Sequence, residues 1–296
     1  MFLRIRHQTR FSYSQPVFLE PMTVRLRPRS DCWQKLHQFE LTVDPSPEGR
    51  TDLVDLDGTS SAFLWFSGTH PVLNLTATSW VETLRENPFD FILRDQKYLE
   101  VPVQLSENYQ FSLGPYLHRG SPSAKVDDFA REIAREVNQN TVSFLSTLCS
   151  RIHESFEITL RLTGDPMSPE ELLSKKKGAC RDFTVLFMDA CRVFGLPARF
   201  TSGYYYGDEE FSDRELHAWA EVYLPGGGWR GYDPSVGLVV SHYHVALTSS
   251  PTWILASPTT GNFRGTGADS SLNFEIQMEK VDTLGKLIPS HHPSQE

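Results

Sequence analysis

The sequence predicts an α+β protein: an antiparallel β-sandwich-like N-terminal domain, then a core in which a cysteine-bearing helix packs on an antiparallel sheet. Three observations predict it. From residue 2 to about residue 84 apolar residues recur at every second position, from Val126 the period becomes helical, and beyond Gly195 the period of two returns on both sides of a glycine turn. Strands gathered first and helices second, rather than in strict alternation, is the order of segregated α+β layers.

Length and composition bound the possibilities. The 296 residues suffice for two domains with proper cores, and 39% hydrophobic with 22% charged residues is the balance of a globular protein. A formal net charge of −9 argues against a general nucleic-acid binder, since phosphate attraction needs a basic surface. The basic run Lys175-Lys176-Lys177 reads as a solvated loop. Four cysteines, Cys32, Cys149, Cys180 and Cys191, make no disulfide framework in a chain of this size. Residues 1–14 have no apolar signal core, and no apolar run approaches the about 20 residues that cross a bilayer. A reducing cytoplasm is the expected compartment, with no membrane partner.

In the N-terminal part, Leu3, Ile5 and His7 alternate with Arg4, Arg6 and Gln8, and Phe39, Leu41 and Val43 repeat the pattern. Val24-Arg25-Leu26-Arg27 and the run from Leu73 to Val81 continue it, separated by proline and glycine turns such as Asp57-Gly58. This part gathers no catalytic residue types and reads as a structural or substrate-framing domain. Prolines and glycines between residues 87 and 123 mark a junction with some short helix. The division follows: 1–110 the β-rich domain, 111–285 the core with its C-terminal strands, 286–296 a frayed tail.

Within the core, Asp127-Asp128 precede Phe129, Ile133 and Val137, and acidic residues suit a first helical turn. Val142, Leu145, Leu148, Cys149 and Ile152 share one face of a second helix, with Cys149 as a small core residue. Residues 156–160 read as a short extended piece. Ser168 with Pro169 and Glu171 is the signature of a capped helix start. Gly178-Ala179-Cys180-Arg181-Asp182-Phe183 then delivers a cysteine to the start of an apolar helix that Gly195 and Pro197 end. Unpaired N–H groups and partial positive charge at a helix start favour a thiolate. Gly178 suggests close backbone approach to a bound group. Strands at 198–206, 217–224 and 229–234 follow, the last two joined by Pro225-Gly226-Gly227-Gly228.

A thiol nucleophile needs a base, and the base needs an orienting group. If the turn spans 224–228, Trp219 lies opposite Asp233 and His217 is the diagonal neighbour of Asp233, within reach of imidazole and carboxylate. A loop one residue shorter would turn Asp233 to the other face, so the pairing demands either the longer loop or a bulge. Cys180 is thus the expected nucleophile, His217 the general base and acid, and Asp233 the orienter, with the Cys180 backbone N–H as one oxyanion donor. Arg181, Tyr204 and Trp219 are the expected substrate contacts. His242 and His244 alternate as if on one strand face but gather no third ligand, and Asp208-Glu209-Glu210 with Asp213 lack calcium-loop spacing. No cofactor or metal is therefore expected.

The motifs Gly178-Ala179-Cys180, Ser202-Gly203-Tyr204, His217-Ala218-Trp219-Ala220-Glu221-Val222-Tyr223 and Gly231-Tyr232-Asp233-Pro234 resemble the bacterial branch of the transglutaminase-like superfamily. Residues 3–13, 25–29 and Asp57-Gly58 resemble the β-rich domain that precedes this core in bacteria. The resemblance implies a papain-like fold with Cys180, His217 and Asp233 as triad, acting on a protein or peptide amide through a thioester. The acceptor is an amine or water, so a transglutaminase-like acyltransferase and a cysteine protease both stay open, as does a non-catalytic scaffold. Arg181 stands where many members carry glutamine, and 246–253 lacks a glycine-arginine-aspartate run often found there.

Overall fold

The computed structural model describes residues 1–161, 163–207 and 215–281. The alternating N-terminal segment forms β1 (Phe2–Leu19), β2 (Met22–Val24), β3 (Gln34–Asp44), β4 (Gly49–Val54), β5 (Ser60–Trp65) and β6 (His70–Thr83). All pair antiparallel, β1 and β3 flanking β6 in one sheet and β2 and β4 flanking β5 in another, and β4–β5 is the hairpin among these pairs. Leu3 and Ile5 of β1, Leu64 of β5 and Leu75 of β6 bury the inward positions of one core.

The junction holds a short 3-10 turn (Gln96–Tyr98) and α1 (Glu107–Leu117). Next come α2 (Ala124–Glu136), α3 (Thr141–Ser155), β7 (Glu157–Ile158), α4 (Pro169–Lys175), β8 (Lys177–Gly178) and α5 (Cys180–Val193). Ser168 caps α4 as its spacing predicts, its Oγ accepting the Glu171 N–H at 3.2 Å. Lys175 ends α4 and Lys177 begins β8, so the basic run is not the loop expected, but both side chains are exposed and ion-paired to Glu171 and Glu157. The second core strands are β9 (Ala198–Tyr205), β10 (Leu216–Leu224), β11 (Gly228–Asp233), β12 (Leu238–Val239) and β13 (His244–Ser250). They form one antiparallel sheet in the order β12-β11-β10-β9-β13.

The helix α5 lies on that sheet. Leu186, Phe187 and Ala190 join Ala218, Ala220 and Val222 of β10 in a second core, and Phe187 stacks on Tyr232 at 5.6 Å. Odd-numbered residues of β10 turn the other way: Trp219 packs with Val240 and Ala246, and Glu221 reaches back to Arg29. The two halves share surfaces. Tyr204, Val245 and Leu247 of the core sheet lie in the N-terminal hydrophobic cluster, and Glu221 Oε1 accepts Arg29 Nη2 at 2.7 Å.

The terminal strands correct the expected division. Those assigned to the core, β14 (Thr259–Thr260), β15 (Phe263–Arg264) and β16 (Ser270–Lys280), pair with β2 and β1 of the N-terminal sheets instead. A long β1 with β6 on one side offers a free edge on the other, and β16 fills it over eleven pairs from Leu3↔Lys280 to Tyr13↔Ser270. The tail at 286–296 and the acidic positions 208, 209, 210 and 213 lie outside the described residues. Among the described residues, no helix is long and apolar enough to cross a membrane.

Candidate active site

The start of α5 is held from three directions. Asp182, fully buried in its first turn, accepts the Ala179 N–H at 2.7 Å and the Met167 N–H at 2.8 Å. The Asp182 carboxylate also accepts Arg161 Nη2 at 2.5 Å. An acidic residue at this position satisfies a donor the helix cannot and suits the dipole. Ahead of it, β8 pairs in parallel with β7, and the Thr159 N–H donates to the Gly178 carbonyl at 2.8 Å. A Cβ on Gly178 would stand 2.8 Å from Leu172 Cδ1 and 3.0 Å from Asp182 Oδ2. The glycine therefore makes room for the carboxylate that pins the loop, not for a bound group as expected. Cys180 follows half-buried, its carbonyl accepting the Thr184 hydroxyl at 2.9 Å.

The turn has the longer form. Leu224 pairs with Gly228 and Ala220 with Tyr232, a register that carries Trp219 opposite Asp233. Across that diagonal His217 Nε2 approaches Asp233 Oδ2 to 2.5 Å. The His217 ring nitrogen left over is Nδ1, and the Cys180 side chain interacts with the imidazole by hydrogen bonding and charge. Burial alone would lower the His217 pKa. The Asp233 charge and hydrogen bond, then those of Cys180, outweigh it and hold His217 well above its ordinary 6.5. Asp233 is fully buried, which would raise its pKa, yet the charge and hydrogen bonds of His217 and His244 drive it far below the usual carboxylate range.

Two residues that the sequence reading left aside complete this corner. His244 Nε2 also meets Asp233 Oδ2, at 3.1 Å, and Ser235 donates to Oδ1 through its backbone N–H at 3.1 Å and its hydroxyl at 2.6 Å. The four acceptor positions of the carboxylate are thus filled. Ser235, two residues past the aspartate, has the spacing of an Asx turn and was legible in principle. His244 had no local signal. It opens β13, whereas His242 lies before that strand and stacks beside Tyr243, so the two do not share a strand face as expected. Among the described residues no group of three His, Cys, Asp or Glu side chains is placed to hold a metal.

Cys180 and His217 face an open cleft of about 670 Å³. Its floor is core sheet and helix start, one wall is formed by residues 158–161 and 163–166, and the other wall comes from His7 and Thr9 of β1 with Leu272 and Phe274 of β16. Arg181 lines the cleft, its Nη2 donating to the Thr163 carbonyl at 2.7 Å. Tyr204 and Trp219 do not reach it, which corrects their expected role. Tyr204 is buried in the N-terminal cluster with its hydroxyl 2.9 Å from His7 Nδ1, and Trp219, wholly buried, packs edge-on to His244. The other thiols are differently placed: Cys149 and Cys191 are buried, which pushes both up, while Cys32 is exposed.

Residues 3–82 match the family described as bacterial transglutaminase-like N-terminal region, and residues 127–234 match the transglutaminase-like superfamily. The chain belongs to the transglutaminase-like superfamily. An uncharacterised protein of Mycobacterium tuberculosis is 24% identical over 295 residues, covering 93% of this chain and 91% of that one. A protein-glutamine gamma-glutamyltransferase of Pseudomonas aeruginosa is 27% identical over 168 residues, 53% of this chain and 22% of that protein. Among solved structures, a candidate cysteine protease from Cytophaga hutchinsonii superposes with a TM-score of 0.73 at 22% identity, over 96% of this chain and 91% of that one. This transglutaminase-like protein therefore shares its two-part α+β fold with a cysteine-protease fold over nearly its whole length.

Proposed function

We propose that the protein is a transglutaminase-like cysteine enzyme that opens a protein or peptide amide through a thioester on Cys180. The observation that carries this reading is the line from Cys180 to His217 to Asp233 at the mouth of an open cleft, with 2.5 Å between His217 Nε2 and Asp233 Oδ2. Cys180 gives its proton to His217 Nδ1, the Sγ thiolate attacks the amide carbonyl, and Asp233 stabilises the imidazolium. The oxyanion faces the Cys180 backbone N–H, one of the helix-start donors without an intrahelical acceptor. His217 hands the proton to the departing amine as the C–N bond breaks. An amine or water then attacks the thioester, gives its proton to His217, and the thiol is restored. A His217 held above its ordinary pKa keeps that proton at neutral pH for the departing amine. Arg181, on the cleft wall, is the proposed substrate contact. Four free cysteines suit a cytoplasmic location, which fractionation would test.

The test is competitive alkylation. Iodoacetamide is expected to label Cys180 faster than Cys32, Cys149 and Cys191, and His217→Ala to remove the advantage; equal slow labelling of all four would sink the enzyme reading. A glutamine-containing peptide library with a labelled amine, scored by mass, then separates conjugation, deamidation and cleavage.

A further inference from the structure

We infer that His244 is a positioning residue for the reaction: a neutral imidazole that donates Nε2–H to Asp233 and fixes the carboxylate against His217. The inference rests on the reading above that Asp233 orients His217. Both imidazoles use one oxygen, Asp233 Oδ2, at 2.5 Å for His217 and 3.1 Å for His244, so the place of that oxygen depends on both.

The tautomer of His244 follows from its other nitrogen. The Ser241 backbone N–H approaches His244 Nδ1 at 3.4 Å, while the His244 backbone N–H donates back to the Ser241 carbonyl at 3.1 Å. A ring nitrogen that receives a donor carries no proton, so the proton sits on Nε2 and points at Asp233. The ring is held in place by Trp219, edge-on at 5.2 Å, and by Tyr205 at 4.7 Å. Groups that set its charge state are Asp233 and His217 in the site and Arg85 farther off; burial and the two cationic neighbours disfavour a second proton, against the pull of Asp233. A neutral donor suits the task. It immobilises Oδ2 without a second cation to compete with the His217 imidazolium for the carboxylate. Trp219, which reaches no substrate, has its place in this arrangement as the wall behind His244.

Two variants separate positioning from packing. His244→Gln returns an amide N–H toward Asp233, and His244→Met fills the space with no donor. The readout is Cys180 alkylation by iodoacetamide across pH, with His217→Ala alongside. His244→Met is expected to slow labelling about tenfold, the scale of one hydrogen bond to a charged group, while His244→Gln stays near wild type in rate and pH profile. Labelling of His244→Met at the wild-type rate, or equal slowing in both variants, overturns the inference. Failure of His217→Ala to slow labelling refutes the proposed function instead, which keeps the two apart. If His244→Met does not fold, long-range 1H–15N spectra of the wild-type imidazoles decide. At neutral pH they should show His244 as the neutral Nε2–H form, and the other tautomer, or a charged ring, overturns the inference.

Discussion

Replacing Asp182 by alanine removes one side chain that organises the nucleophile loop without touching substrate. Its carboxylate accepts two backbone N–H groups, Ala179 at 2.7 Å and Met167 at 2.8 Å, and the Arg161 guanidinium. Asp182 is fully buried and Ala179 nearly so, so water cannot simply take over the Ala179 donor. A buried donor left unsatisfied costs about 1–3 kcal/mol, which the Ala179 N–H alone sets, and the half-buried Met167 N–H adds less. Arg161 is about one-third exposed and can be rehydrated, so it adds little. Against a total stability of roughly 5–15 kcal/mol the change is large. Urea unfolding should show the midpoint drop, and Cys180 alkylation should lose its advantage under conditions where the variant is still folded. A variant within about 0.5 kcal/mol of wild type, the range of an ordinary surface change, would refute the view that Asp182 pins the loop.

Acid should weaken the contact between the two halves through His7. This ring is buried against Tyr204 of the core sheet, and burial lowers its pKa from 6.5 to about 4. Between those values the unfolded chain binds the proton and the folded one does not, so stability falls as pH drops from 6.5 to 4, by about 3 kcal/mol at full effect. Urea titrations at several pH values should show a shallower acid loss in His7→Gln; identical slopes would remove His7 from the account. Glu221 should act at lower pH. Burial opposes its ionisation, but Arg29 and Arg199 hold it far below the ordinary carboxylate range. Its contribution is present above the unfolded value of about 4.3 and fades as pH falls below it. Arg29→Ala leaves a buried carboxylate with Arg199 as its one cationic partner and should cost about 3 kcal/mol. A double-mutant cycle with Glu221→Gln, read by thermal unfolding, should return a coupling that vanishes if the pair is incidental.

Much of this molecule was legible because short-range rules decide it. Alternation fixed the strands of the first 83 residues, and the Ser168 cap and the period of three and four placed α4 and α5. The parity of a two-residue period made the Pro225-Gly226-Gly227-Gly228 turn a sharp test, and its longer form set His217 across from Asp233. Tyr204 and Trp219 were misread because an aromatic ring on a strand looks the same in sequence whether it faces a cleft or the neighbouring domain. His244 joins Asp233 of β11 from β13 on the far edge of the sheet, beyond β10 and β9, so no spacing along the chain announces it.

What the sequence by itself determined, then, is the order and kind of the elements, because these follow from local periodicity, and it tied the pairing of His217 with Asp233 to the length of one turn. The tertiary structure decided the rest. Packing α5 on the sheet brings Cys180 to His217, and pairing β16 with β1 turns the two chain ends into one wall of the cleft. Those contacts join residues far apart in the chain, and burial and sheet-edge pairing, not local preference, select them.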